Sequence, residues 1–121
     1  MSFNVMNNQN YGEVVQENGT YTSLNERLKS LIQSSDLVVF MKGTSVAPQC
    51  GFSANTCAIL NSYKKNFKTF NILADEEVRQ GLKSFSNWPT YPQIYFKGQL
   101  LGGNDVIMEM HQNGELKQLL G

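Results

Sequence analysis

Leu24, Leu28, Leu31 and Ile32 recur at helical spacing, and Ser23 stands before Glu26 as the first residue of a capping box does. A helix is therefore predicted from about Ser23 to the Ser34-Ser35-Asp36 turn. Leu37-Val38-Val39-Phe40-Met41 is a continuous apolar run, the pattern of a strand buried on both faces. Gly43 to Gln49 connects it to Cys50. Helical spacing returns from Gly51 to about Lys65, with Phe52, Ile59, Leu60 and Tyr63 as its predicted inward face. Phe67 to Leu73 reads as a second strand and Asp75 to about Phe85 as a short helix. Turn-forming residues fill Ser86 to Pro92. Two short strands, Gln93–Phe96 and Gln99–Leu101, flank a hairpin turn at Lys97-Gly98, and Gly102-Gly103 leads into a last helix from Asp105 to about Leu120.

Alternating helices and strands that close on a hairpin imply an α/β fold, a mixed four-stranded sheet with helices on both faces. A chain of 121 residues with 40% hydrophobic content holds one packed core. Residues 1–20, rich in Asn and without aliphatic periodicity, read as a flexible tail, leaving 21–121 as the single domain.

Charge and targeting narrow the function classes. Lys+Arg and Asp+Glu both number 10, a balance that speaks against nucleic-acid and membrane-surface roles. No apolar run reaches the roughly 18–20 residues of a membrane span. The first twenty residues carry Glu13 and Glu17, no Lys or Arg and no apolar signal core. The expectation is a cytoplasmic protein, with the nucleus also open to it. A mitochondrial location is disfavoured unless the chain is a processed form. Two cysteines without a secretion signal suggest a reducing compartment and not a disulfide scaffold.

Cys50 stands between a buried strand and a helix. The leading N–H groups of a helix have no internal partner, and the macrodipole places about half a positive charge there. A thiolate at that point is stabilised, and Lys42 at the strand end adds to the effect. Cys57 lies seven residues further on. At about 1.5 Å per helical residue the two Cα atoms are about 10 Å apart. A disulfide requires less than about 7 Å. Cys57 is therefore read as packing, and the chain as functionally monothiol. Pro89 and Pro92 mark a rigid loop, and Gly102-Gly103 permits close backbone approach or positive φ. Asn104 and Asp105 open a helix whose free N–H groups can hold a carboxylate. Arg79 and Lys83, one turn apart, can face a second carboxylate or form an ordinary solvated face. A thiol between two anion-binding ends suits a short, doubly carboxylated thiol peptide. His111, the only histidine, reads as a surface residue.

Five ordered motifs carry a resemblance over about residues 24–120: Lys42-Gly43-Thr44, Pro48-Gln49-Cys50-Gly51-Phe52-Ser53, Arg79-Gln80-Gly81-Leu82-Lys83, Asn87-Trp88-Pro89-Thr90-Tyr91-Pro92-Gln93 and Gly102-Gly103-Asn104-Asp105. In these the chain resembles the monothiol glutaredoxins, whose active-site motif reads Cys-Gly-Phe-Ser. The resemblance implies a thioredoxin-like fold, with Cys50 as the redox-active thiol and as a ligand of a [2Fe–2S] cluster. It implies that Lys42 and Arg79 bind the glycyl carboxylate of glutathione. Tyr91 would pair its backbone with the cysteinyl unit, because Pro92 matches the family's cis-proline. Asn104 and Asp105 would receive the γ-glutamyl end, with Gly103 also in the glutathione site. Some relatives carry a second cysteine where this chain has Asn104, which removes a resolving cysteine from that site. A four-thiolate cluster then needs two chains and two glutathiones. The resemblance accordingly implies a cluster-bridged homodimer that passes its cluster to apo iron–sulfur proteins and exchanges with BolA-like partners. The alternative function is a glutathione-dependent thiol–disulfide oxidoreductase, at most a weak enzyme, which removes glutathione from mixed disulfides.

Overall fold

The computed structural model describes residues 12–121. In chain order the elements are β1 (Gly12–Val14), α1 (Leu24–Ile32), β2 (Leu37–Met41), α2 (Gly51–Ser62), β3 (Phe67–Asn71), α3 (Glu76–Ser86), β4 (Gln93–Phe96), β5 (Gln99–Gly102), α4 (Asn104–Asn113) and α5 (Glu115–Leu120). A single turn of 3₁₀ helix, Ile72–Ala74, joins β3 to α3.

The five strands form one sheet in the order β1-β3-β2-β4-β5. β3 runs parallel to both β1 and β2, whereas β4 runs antiparallel to β2 and β5 antiparallel to β4. β2 lies at the centre with all of its residues buried. Because strand side chains alternate between faces, its residues divide between two apolar layers. Val38 and Phe40 pack with Leu28, Leu31 and Ile32 of α1 and with Val78 and Leu82 of α3. Leu37, Val39 and Met41 pack with Cys57 and Leu60 of α2, Ile107 of α4 and Leu116 of α5. Helices thus cover both faces, and the predicted α/β, thioredoxin-like architecture is the observed one. Among the described residues no helix is long and apolar enough to cross a membrane.

Four features differ from the sequence expectation. The sheet has five strands instead of four. The added one, β1, comes from the segment read as tail; residues 1–11 of that segment lie outside the described residues. Glu13 reaches Lys68 at 3.0 Å, and the Val15 N–H donates to the Thr69 carbonyl at 2.9 Å. A three-residue strand cannot display a period, so pairing with β3 decides it. Second, the last helix is broken at Gly114, whose φ of +88° ends α4 and precedes α5. Third, β3 stops at Asn71, where the side-chain oxygen accepts from the Leu73 N–H at 3.0 Å and turns the chain into the 3₁₀ segment. Fourth, Phe52 is not on the inward face of α2 but is 63% exposed. The buried residues there are Ser53, Thr56, Cys57 and Leu60.

The helix starts follow their sequence signals. Ser23 Oγ accepts from the Glu26 N–H at 3.1 Å. The Glu26 carboxylate reaches Thr22, at 2.9 Å from its hydroxyl, and so closes the cap one residue earlier than a standard capping box does. Asp75 caps α3 by accepting from the Val78 N–H at 3.1 Å and also receives Arg27 Nη2 at 2.6 Å. Arg27 pairs at 2.8 Å with Glu17, which ties the segment after β1 to this face.

Candidate active site

Lys42 follows β2, and the chain then makes a closed excursion before Cys50. The Gln49 N–H donates to the Lys42 carbonyl at 2.9 Å, and Thr44 and Ala47 exchange main-chain hydrogen bonds. The Gly43 N–H donates to Asn71 Oδ1 at 2.9 Å, and Ser45 Oγ donates to the Gly12 carbonyl at 2.6 Å. The loop is thereby anchored to two strands.

Cys50 is the N-cap residue of α2 in an extended conformation, with φ −151° and ψ 137°. Its thiol is partly exposed. The sulfur makes no full capping hydrogen bond. The thiolate is nevertheless favoured, first by the main-chain N–H of Ser53 and then, against a smaller effect of burial, by the Phe52 N–H, the Lys42 charge and the Ser53 hydroxyl. The Cys50 thiol accordingly titrates below the ordinary cysteine value. Ser53 is fully buried, and its Oγ accepts from the Lys42 N–H at 3.2 Å, joining the strand end to the first turn of α2.

Cys57 is 3% exposed and in the core, its Sγ 3.4 Å from Met41 Sδ. Burial pushes its thiol up to about 11. The packing role predicted for it is the one observed.

A groove of about 680 Å³ opens at Cys50. Its lining includes every residue singled out from the sequence as catalytic or glutathione-binding: Lys42, Cys50, Arg79, Tyr91, Pro92, Gly103, Asn104 and Asp105. Lys83 lines it too, so Arg79 and Lys83 of α3 both reach the groove. The Tyr91 hydroxyl donates to the Arg79 carbonyl at 2.7 Å, which fixes α3 against the loop before β4. The Tyr91-Pro92 peptide is cis. Gly102 takes φ +141°, open to glycine, and a Cβ on Gly103 would stand 3.3 Å from the Pro92 carbonyl. The predicted close approach is therefore real, with positive φ at the first glycine and tight packing at the second.

Lys42, Arg79 and Lys83 bring cationic side chains to the same groove as the thiol. The start of α4 also lines it, where N-cap Gly103 supplies no side-chain cap and the leading N–H groups face no helical carbonyl. Two donors in the groove wall, Arg79 Nε and Trp88 Nε1, are buried without a partner among the described residues. Buried donors are costly to leave unpaired, so these two suit a polar ligand. Trp88 and Phe52 also line the groove, although sequence reasoning assigned neither to the site. Trp88 belongs to the Asn87–Gln93 motif but carries no charge or nucleophile to mark it. Phe52 reads as core because it is apolar.

Asn104 opens α4 at the groove, as expected, and its side chain turns into the fold. It is 7% exposed, and its Oδ1 accepts from Asn55 Nδ2 and Thr56 Oγ1, each at 2.9 Å. His111 lies outside the groove and shares a 2.7 Å hydrogen bond with the Tyr63 hydroxyl. Among the described residues no three His, Cys, Asp or Glu side chains gather as a metal site.

Comparison with known proteins agrees with this arrangement. The glutaredoxin family model matches residues 37–101. The chain is 54% identical over 98 residues to monothiol glutaredoxin-S17 of Arabidopsis thaliana, covering 81% of this chain and 20% of that protein. It thus spans about a fifth of that relative's length. It is 50% identical over 94 residues to an uncharacterized ycf64-like monothiol glutaredoxin of Synechocystis, covering 78% of this chain and 88% of that one. The solution structure of reduced poplar apo GrxS14 superposes with a TM-score of 0.70 at 45% identity, covering 79% of this chain and 88% of the other.

Proposed function

The chain belongs to the monothiol glutaredoxin family, and from that premise we propose that it binds glutathione beside Cys50 and carries a [2Fe–2S] cluster held between two copies of itself. The observation that carries this reading is the groove itself, which gathers one accessible, acidified thiol, cationic side chains and an uncapped helix start. Glutathione has a thiol between two carboxylate ends and matches that order of groups. Lys42 and Arg79 would take the glycyl carboxylate, and the N–H groups at the start of α4 would take the γ-glutamyl carboxylate. The unpaired Arg79 Nε fits such a ligand.

A [2Fe–2S] cluster as cargo requires four thiolates. With Cys57 buried, one chain offers one, Cys50. Two chains and two glutathiones make up the set. Half the ligands are then noncovalently held peptides, which makes handover to apo iron–sulfur proteins, alone or with a BolA-like partner, physically reasonable. A reducing, cytoplasmic setting would keep both thiols free.

The lowered titration of Cys50 also favours a second reading, glutathione-dependent thiol exchange. The Cys50 thiolate would attack a protein–glutathione disulfide, take the glutathionyl group and release the protein thiolate. A second glutathione would then restore Cys50 and leave as glutathione disulfide. Anaerobic reconstitution with iron, sulfide and glutathione separates the two. A coloured dimer that requires glutathione and is absent from Cys50→Ser is expected. A colourless monomer with brisk deglutathionylation would instead establish the enzyme.

A further inference from the structure

Asn104 opens α4 with a side chain whose hydrogen bonds lie inside the fold. Its Oδ1 accepts from two donors of α2, Asn55 Nδ2 and Thr56 Oγ1, and its Nδ2 points to Met108 Sδ at 3.3 Å. Thr56 is fully buried. A helical threonine commonly satisfies its hydroxyl on the carbonyl one turn back; here the hydroxyl crosses to the neighbouring helix. The tie joins the two sides of the groove, because α2 begins at Cys50 and α4 begins with the N–H groups open to an anion.

We propose that Asn104 is a positioning residue, which sets the distance between the Cys50 thiol and the anion-binding start of α4 through its paired hydrogen bonds to Asn55 and Thr56. The reading rests on glutathione being the ligand. A peptide held at its sulfur and at one carboxylate tolerates little error in the spacing of the two anchors. Asn104 then acts on the γ-glutamyl end through the place it gives the main chain, not through a side-chain contact with the ligand. The internal bonds also account for an asparagine at a position where a cysteine would supply neither acceptor for both donors nor the reach to Met108.

The test titrates the full chain with reduced glutathione under anaerobic conditions. Trp88, the only tryptophan and part of the groove wall, serves as the fluorescence reporter. Thr56→Val keeps the shape and deletes the donor, whereas Thr56→Ser keeps the donor. Thr56→Val is expected to weaken glutathione binding about threefold to tenfold, a shift of up to about 1.4 kcal/mol. Thr56→Ser is expected to stay near wild type. Asn104→Ala should weaken binding at least as much, and adding Thr56→Val to it should cause no further loss. The alkylation midpoint of Cys50 should not move in Thr56→Val, since its stabilising groups belong to its own turn and to Lys42. Unchanged affinity in Thr56→Val, even with a lowered melting temperature, would reduce Asn104 to a stability role and overturn the proposal. Absence of saturable binding in the wild type would instead remove the glutathione reading on which it rests.

Discussion

Cys50 and Cys57 lie on one helical segment and titrate in opposite directions. The first is drawn down by the Ser53 N–H and its neighbours, the second pushed up to about 11 by burial. A thiolate reacts and a thiol does not, so a pH series of alkylation on the native chain should label Cys50 alone, with a midpoint below the ordinary cysteine value. Lys42→Met should move that midpoint upward, and Cys57 should become reactive only on unfolding; intact-mass analysis reads both. Cys50 was legible in the sequence because its stabilising donors are main-chain groups, which exist wherever a helix begins. Phe52 was not. The buried stripe of α2 runs Ser53, Thr56, Cys57, Leu60, and half of it is polar because Ser53 receives the Lys42 N–H and Thr56 donates to Asn104. The internal bonds of the Asn104 side chain were equally illegible: its partners are nearly fifty residues away and come together only in the fold.

At the scale of elements, Asp75 does two tasks. It caps α3 and it receives Arg27, which also holds Glu17. Burial alone would raise the Asp75 carboxyl, but the Arg27 hydrogen bond and the Val78 N–H outweigh it and hold the group below the usual carboxylate range. Stability from a depressed carboxyl is complete above its unfolded value and is lost as pH falls through the folded one. Urea melts should therefore show a loss of stability below about pH 4. Asp75→Asn should lose that part of the pH dependence. At neutral pH, Asp75→Ala should lower stability by about 1–2 kcal/mol, from the lost cap and the loss of a partly buried ion pair. The cap at Asp75 was readable, as were β2 and the hairpin, because each depends on neighbours in sequence. The division of the last helix was harder to read. Ile107 and Leu116 belong to one apolar layer, so their pattern continues across the break at Gly114.

The whole molecule adds one strand to the predicted sheet, and that strand touches the site. β1 covers the outer edge of β3, a position that would otherwise expose unpaired main-chain groups. The Gly12 carbonyl receives Ser45 of the loop before Cys50, so the sheet edge helps to hold the active-site loop. Nothing in three residues of sequence signals this, since pairing at an edge is a property of the assembled sheet. The rest of the architecture was recoverable because the central strand is continuously apolar and its two faces demand helices.

The burial of Cys57 against Met41 has a consequence for what the protein measures. With no second thiol in reach, Cys50 cannot give up two electrons by closing an internal disulfide. Under the proposed chemistry its oxidised form is a mixed disulfide, and one glutathione returns it to the thiol with release of one glutathione disulfide. The modified fraction then follows the ratio of glutathione disulfide to glutathione, each to the first power. A dithiol protein would follow that ratio divided once more by the glutathione concentration. Diluting the pool tenfold at a fixed ratio should leave the glutathionylated fraction of this chain unchanged, as read by intact mass, whereas a dithiol protein would become more oxidised. The buried sulfur makes Cys50 a gauge of the pool's composition that is blind to its size.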